Sequence, residues 1–528
     1  MARPILDFSK GDPARALTGV ARYAFRKASK NLNHYYLPNA AGDTRYPLLK
    51  EVSEYFKSRG FLNDSFFAAN NLLVTGGGTT EAYELIIRLL AKDLKERAAQ
   101  TGETFKPVIV MPVPTYGFFF NSAREWGFEL AFIERDMQSP EPAKRGGVDA
   151  KKLDALLTEL GSQGKRVVAY YDSNPNNPLG RIRGHDETSA IMQVLFEHTY
   201  RQKKHDDKAD NRRLDEMIKR GATDRELLSV TAWWGSASRI RVIDDLVYDG
   251  LEYADVPKGV GFGQLEDTAW GTPADDTFTI TGPSKAGLVN LRAGLIVSKF
   301  ATELRNMQLS TSYSSTDVAF HAVHAFYNDT EPFAAQRKKH LDRMNAEHRF
   351  NGQFMKSLID GFGTTPELAK KDKERMIRLL ARVDKISRSE ARTRLENGIE
   401  GIKVITDPQA GFFHLLDYSN LIGRTYEYTP QTAMGQPLEK QTLVFKDSED
   451  IKKTFGIAGI GFAYADWMGL DPVTNPITRV TFAEPPEKII ALANRLSEVT
   501  KTLSPAPKAP VATENRIIIS ASPAMAGA

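Results

Sequence analysis

An α/β fold built on a mostly parallel sheet is predicted by three features that recur together between residues 71 and 294. Short apolar runs rich in β-branched residues alternate with stretches of helical spacing, and each run leads into a turn or an acidic pair. Such alternation puts helices on both faces of a parallel sheet and gathers the loops after the strands at one edge, where ligands bind.

Taken in order, residues 72–75 form an apolar run that enters Gly76, Gly77 and Gly78, and a helix is expected through residues 81–90. Residues 108–111 precede a proline turn, residues 167–171 precede a second turn, and residues 240–243 end at the pair Asp244 and Asp245. Two stretches depart from this economy. Residues 185–228 and 367–400 are dense in charge with apolar residues at helical spacing, and both read as exposed helices inserted into the core pattern. From residue 504 the chain is rich in Pro, Ala and Ser, the composition of a loose tail.

Length and composition exclude several function classes. The 528 residues suffice for two or three domains, and 41% apolar with 26% charged residues is ordinary for a globular protein. Seventy basic against 66 acidic side chains leave +4, which gives no reason to expect nucleic acid or an anionic membrane as partner. With no cysteine there are no disulfides, thiolate metal sites or thiol nucleophiles. No apolar run approaches the ~20 residues of a membrane span and no secretory leader opens the sequence, so a cytoplasmic location is expected.

Five segments carry chemistry. Gly76 to Thr80 forms a strand-to-helix turn without the lysine of a P-loop; its backbone N–H groups suit a phosphate, or the turn simply needs positive φ. Tyr116 follows a proline turn and could stack on a flat cofactor or pack in the core. Asn177 lies in a loop shaped by Pro175 and Pro178, with an amide able to donate to a phenolate. The carboxylate ending the acidic run needs a cation, either a pyridinium N–H or a protein arginine, and Tyr248 follows three residues after Asp245. Lys285, flanked by Ser284, Ala286 and Gly287, has room for a bulky group at its amine or lies on a solvated loop; Arg292, seven residues on, can hold a phosphate through paired hydrogen bonds.

In this order the segments resemble the class I/II aminotransferases, fold-type I pyridoxal-phosphate enzymes of the aspartate aminotransferase superfamily, over about residues 7–496. The resemblance implies a seven-stranded large domain (residues 45–330, with the charged insertion at about 185–228) and a smaller α+β domain (331–503) joined by the N-terminal segment (1–44), leaving a flexible tail (504–528). It implies that Lys285 carries pyridoxal 5'-phosphate as an aldimine, that Asp245, rather than Asp244, partners the pyridine nitrogen, and that Asn177 and Tyr248 bind the phenolic oxygen. Lys285, Asp245 and Tyr248 are thus the implied catalytic residues. Tyr116 would stack on the ring; Gly78, Thr79, Thr80, Ser284 and Arg292 would hold the phosphate, joined by Tyr36 of a neighbouring subunit, or by Tyr35 or Tyr46. Gly11, Asn177 and Arg479 would bind substrate, with Arg479 on the α-carboxylate.

The same resemblance implies a homodimer that moves an amino group between an α-amino acid and a 2-keto acid, with no metal. Three departures stand beside the likeness: Lys285 and Arg292 are one residue closer than is usual, Gly282 replaces a common serine, and the glycine turn at 76–80 is one residue longer than usual. With the long insertion, they leave open a pyridoxal-phosphate lyase, decarboxylase or cyclase on the same fold. A non-catalytic regulator of this fold is disfavoured, because the residues before Tyr36 leave no room for a DNA-binding domain.

Overall fold

In the computed structural model the apolar runs become strands of one seven-stranded sheet in the order β2-β8-β7-β6-β5-β3-β4. Residues 5–13, 15–30, 46–61, 68–102, 106–137, 139, 141, 144–221, 223, 239–312, 316–364, 368–429, 436 and 438–504 are described. After β1 (Leu6–Asp7), the sheet takes β2 (Leu72–Thr75), β3 (Lys106–Val113), β4 (Glu129–Glu134), β5 (Lys165–Ser173), β6 (Arg241–Asp245), β7 (Thr277–Thr281) and β8 (Gly294–Val297). Strands β4, β3, β5, β6 and β7 pair in parallel; β8 alone runs antiparallel to its neighbours β7 and β2.

The period-2 alternation of each strand divides the core in two. Ile109, Met111, Tyr171 and Ile243 pack on one face with Ala82, Leu85 and Ile86 of the helix Thr79–Thr101. Val108, Val110, Tyr170 and Val242 pack on the other with Leu153 and Leu157 of the helix Ala150–Ser162. With both faces covered, β2, β6, β7 and β8 are buried at every residue, including Arg241, the aspartates of β6 and the threonines of β7.

The charged stretch beginning at residue 185 corrects the sequence-based expectation of exposed, inserted helices. It opens as one 35-residue helix, His185–Lys219, whose Ile191, Met192, Leu195 and Phe196 complete the second face of the core. Even its charge is partly internal, because Asp206 is buried in an ion pair with Arg166. Charge density hid an amphipathic helix: four apolar residues per few turns suffice to bury one stripe while the rest of the surface stays polar.

A second, four-stranded antiparallel sheet follows: β9 (Lys403–Val404), β10 (Phe413–Asp417), β14 (Ala463–Tyr464) and β15 (Ile477–Thr481), in the order β14-β15-β10-β9. Between them β11 (Thr425–Tyr428) and β12 (Gln441–Val444) form a hairpin, and β13 (Ile460–Gly461) pairs in parallel with β1, which ties the N-terminal segment to this region. The helices Phe333–Asp360 and Pro486–Thr502 pack together beside it. The charged residues 370–397 form two helices, Lys370–Asp384 and Arg388–Asn397, which bury Met376, Ile377, Leu380, Ala391 and Leu395. The whole is α/β with a mostly parallel seven-stranded sheet and a smaller α+β part.

Candidate active site

The loops after β2, β3, β5, β6 and β7 meet at the carboxyl edge of the large sheet, and β15 approaches that edge from the second sheet. Between them lies a cavity of about 650 Å³ whose wall includes Gly11, Tyr116, Asn177, Tyr248, Lys285 and Arg479.

Lys285 stands in the helical turn Ser284–Leu288 directly after β7, and its Nζ donates to the Gly11 carbonyl at 2.7 Å. Burial pushes its ammonium down to about 8, and the positive charge of Arg479 adds to that; Asp12 and Asp245 oppose it. Gly11 packs closely against the site, since a Cβ there would lie 3.0 Å from the Phe413 ring and 3.2 Å from Lys285 Nζ and would press on both.

The two adjacent aspartates separate by strand geometry. Asp244 points away from the cavity, pairs with Arg183 at 2.8 Å and accepts from the Phe262 N–H at 2.7 Å; burial nevertheless raises its carboxyl to about 6. Asp245 points to the opposite face, where it accepts from the Tyr171 hydroxyl at 3.0 Å and the Val247 N–H at 3.1 Å, with Tyr83 a further donor. Burial raises its pKa too, and no lysine or arginine among the described residues pairs with it.

Asn177, Tyr248 and Arg479 form a chain. The Asn177 amide donates to the Tyr248 hydroxyl at 3.2 Å, and Arg479 donates to Asn177 Oδ1 at 3.0 Å and to the Ser9 carbonyl at 2.8 Å. The guanidinium lies over the Phe413 ring, 4.3 Å from its centroid, and its buried Nε has no partner among the described residues. Burial lowers the pKa of Arg479 and raises that of Tyr248.

At the other end of the cavity region, Gly78 precedes the helix Thr79–Thr101 with φ +73°, and a Cβ there would meet the Arg292 guanidinium at 3.3 Å. Arg292 donates to the Gly77 carbonyl at 2.7 Å and lies 3.3 Å from the Thr80 hydroxyl. The short path from Lys285 is closed by a 3-10 turn, Val289–Leu291, and by Arg292 itself in a left-handed conformation at φ +48°. Gly282 has no room for the expected serine: its Cβ would lie 2.8 Å from the Ala293 carbonyl.

Thr79 and Ser284 stand at the starts of the helix and of the Lys285 turn, respectively. Tyr116 lines the cavity with its ring stacked on Phe118, centroids 5.9 Å apart. Tyr36 and Tyr35 lie outside the described residues, and Tyr46 begins the helix Tyr46–Ser58. Tyr83, Tyr171, Ser9, Phe413 and Glu81, whose carboxylate accepts from the Gly77 N–H at 2.6 Å, were not anticipated from sequence. Only Tyr171 carried a signal, as the strand position alternate to Tyr170 two residues before Ser173.

This sheet order, the second sheet and the lysine turn after β7 make up a fold that the chain shares with solved aminotransferase structures. Residues 3–200 match the family model described as aminotransferase class I and II. Aspartate aminotransferase from Thermus thermophilus is similar over 94% of this chain and 92% of its own, with a TM-score of 0.59 at 13% identity. An aromatic aminotransferase from Pyrococcus horikoshii (TM-score 0.57, 14% identity, 95% and 96% covered) and a methionine aminotransferase from Escherichia coli (0.57, 14%, 94% and 93%) are similar as well. At such identities the likeness establishes the fold. No curated protein sequence matches the chain.

Proposed function

We propose that this chain is a pyridoxal-phosphate-dependent aminotransferase acting between an α-amino acid and a 2-keto acid. The observation that carries the reading is that Lys285 and Arg479, an amine with lowered pKa and a buried guanidinium, line one cavity, with the buried Asp245 carboxylate close enough to Lys285 to act on its ammonium.

The residues fit the cofactor. Asp245 is a buried carboxylate without a cationic partner, suited to a protonated ring nitrogen; Arg292 at the helix N-terminus suits a phosphate; the Asn177–Tyr248 pair suits a phenolic oxygen. Thr79, Thr80 and Ser284 complete the phosphate end in this reading, and Tyr116 flanks the ring. When bound, pyridoxal phosphate supplies an electron-withdrawing ring that makes the Cα–H bond of an amino acid acidic.

The chain's own groups do the rest. Arg479 grips the α-carboxylate, using the orphaned Nε and exchanging the donors now spent on Ser9 and Asn177. That grip fixes the orientation of Cα, an effect worth several kcal/mol, or on the order of 10³-fold in rate. Lys285, its pKa lowered to about 8, is poised to accept the Cα proton and to return it to the carbon on the far side of the amino nitrogen. Asp245 would pair with a protonated ring nitrogen, whose charge would oppose the upward push of burial on its carboxyl, and Tyr83 and Tyr171 donate to it.

In this reading residues 45–330 form the cofactor-binding domain, residues 331–503 with the N-terminal segment form the smaller one, and the working unit is a homodimer to which Tyr36 contributes. The close Lys285–Arg292 spacing is absorbed by the 3-10 turn and the left-handed Arg292, so it lends no weight to elimination or decarboxylation. The test is single-turnover spectroscopy: an L-amino acid should convert the bound aldehyde cofactor to its amine form, and a 2-keto acid should restore it. Release of carbon dioxide or ammonia without the amine form would overturn the proposal.

A further inference from the structure

Beside the residues that grip the α-carboxylate, the cavity has a second chemical character. After β14, the 3-10 turn Ala465–Met468 brings Asp466 and Trp467 to its wall, and Gly469 ends the turn in a left-handed conformation at φ +76°. The turn is docked firmly: the Thr115 N–H donates to the Met468 carbonyl at 3.1 Å, and a Cβ on Gly117 would lie 2.5 Å from the Trp467 carbonyl. Asp466 Oδ1 is shielded from solvent and has no hydrogen-bond partner among the described residues. Asp466 as a whole is only partly buried, but a carboxyl oxygen in that condition has lost water without gaining a donor, and a ligand donor would supply one.

The surroundings narrow what that donor is. Tyr116, Phe118, Phe120, Trp467 and Met468 line the same cavity, and Phe118 and Trp467 keep 60% and 59% of their surfaces open. Aromatic faces beside a carboxylate attract a cation and the methylenes that carry it. Among the described residues, the only cations lining the cavity are Lys285 and Arg479, both engaged at the reacting centre, so nothing there would pair with an acidic side chain. Asp12, close enough to Lys285 to hold its ammonium up, adds a second negative charge nearby.

We infer that the amino donor is a basic amino acid, its side chain an aliphatic stem ending in an ammonium or guanidinium that pairs with Asp466 between the aromatic rings. The inference rests on the aminotransferase reading and adds the substrate class to it. No covalent step is new: the terminal cation binds and the α-amino group reacts.

The experiment compares L-lysine, L-ornithine and L-arginine with L-norleucine, a neutral analogue of the lysine stem, and with L-glutamate, reading formation of the amine cofactor in the wild type, Asp466→Asn and Asp466→Lys. The wild type is expected to favour a basic amino acid over norleucine by roughly tenfold or more in kcat/KM, chiefly through KM. Asp466→Asn should collapse that ratio, and Asp466→Lys should raise glutamate above lysine, while each variant keeps the bound cofactor's absorption as a check of folding. Norleucine or glutamate preferred by the wild type, or a ratio unmoved in both variants, overturns the substrate inference and leaves the aminotransferase reading standing. If no amino acid of any class yields the amine form, the aminotransferase reading itself falls, and this inference with it.

Discussion

Arg479 donates to Asn177 across 3.0 Å, joining a strand of the second sheet to the loop after β5 although 302 residues separate them in sequence. The arginine proposed to grip the carboxylate and the asparagine proposed to bind the phenolic oxygen are therefore parts of one hydrogen-bonded unit. Arg479→Lys keeps the charge but loses the planar fork, so kcat/KM for amino acids should fall about 10- to 100-fold, the cost of one or two charge-assisted hydrogen bonds. Steady-state kinetics checks it: KM should rise for both amino and keto acids, with the cofactor's absorption retained.

Asp244 and Asp245 should respond oppositely to the same substitution. Asp244→Asn strips a buried arginine of a partner and is expected to destabilise the fold by about 3–5 kcal/mol, seen as a lowered Tm. Asp245→Asn removes a buried charge with no ion-pair partner, so Tm should hardly move while turnover drops by orders of magnitude. Equal losses of Tm in the two variants would contradict the assignment of Asp245 to the cofactor.

Lys285 gives a pH dependence of definite sign. Its pKa is lowered from 10.5 to about 8, so the amine is protonated below pH 8 and neutral above it. Only the neutral amine has a lone pair with which to attack the cofactor aldehyde. Covalent uptake of pyridoxal phosphate by cofactor-free protein should therefore speed up about tenfold per pH unit below pH 8 and level off above, as titration of one amine requires. In Arg479→Ala the repelling positive charge is gone, and the midpoint should move to higher pH. A flat profile in the wild type would refute this.

Gly282→Ser restores a residue common in similar proteins and should nonetheless harm this one. Its Cβ would press on the Ala293 carbonyl at 2.8 Å and on Gly294 Cα at 3.2 Å, an overpacking expected to cost about 1–3 kcal/mol. Thermal unfolding measures the loss, and cofactor titration should show no gain in affinity.

Much of this was legible from residues alone. The runs at 72–75, 108–111, 167–171 and 240–243 became β2, β3, β5 and β6 because fully covered parallel strands leave an unbroken apolar signature. Lys285, Asn177 and Tyr248 could be picked out because each belongs to a local pattern of turn or strand residues, and Arg479 only through the resemblance of its segment to the family. Charge misled at residue 185, where one helix stripe is core and the rest is not. Tyr83 and Asp466 stand in segments with no pattern of their own, and only packing gives them a partner or leaves them without one.

Sequence by itself determined the fold class, the order of the loops around the cavity and the kind of side chain each loop presents, because local periodicity and turn chemistry need only neighbours. Tertiary structure decided what depends on approach in space. It set Asp244 against Arg183 and Asp245 on the opposite side near Lys285, bent Arg292 back onto Gly78 across an unusually short path, and left Asp466 Oδ1 without a partner among the described residues. Desolvation and direction act over a few ångströms between residues far apart in the chain, and no spacing along the sequence encodes them.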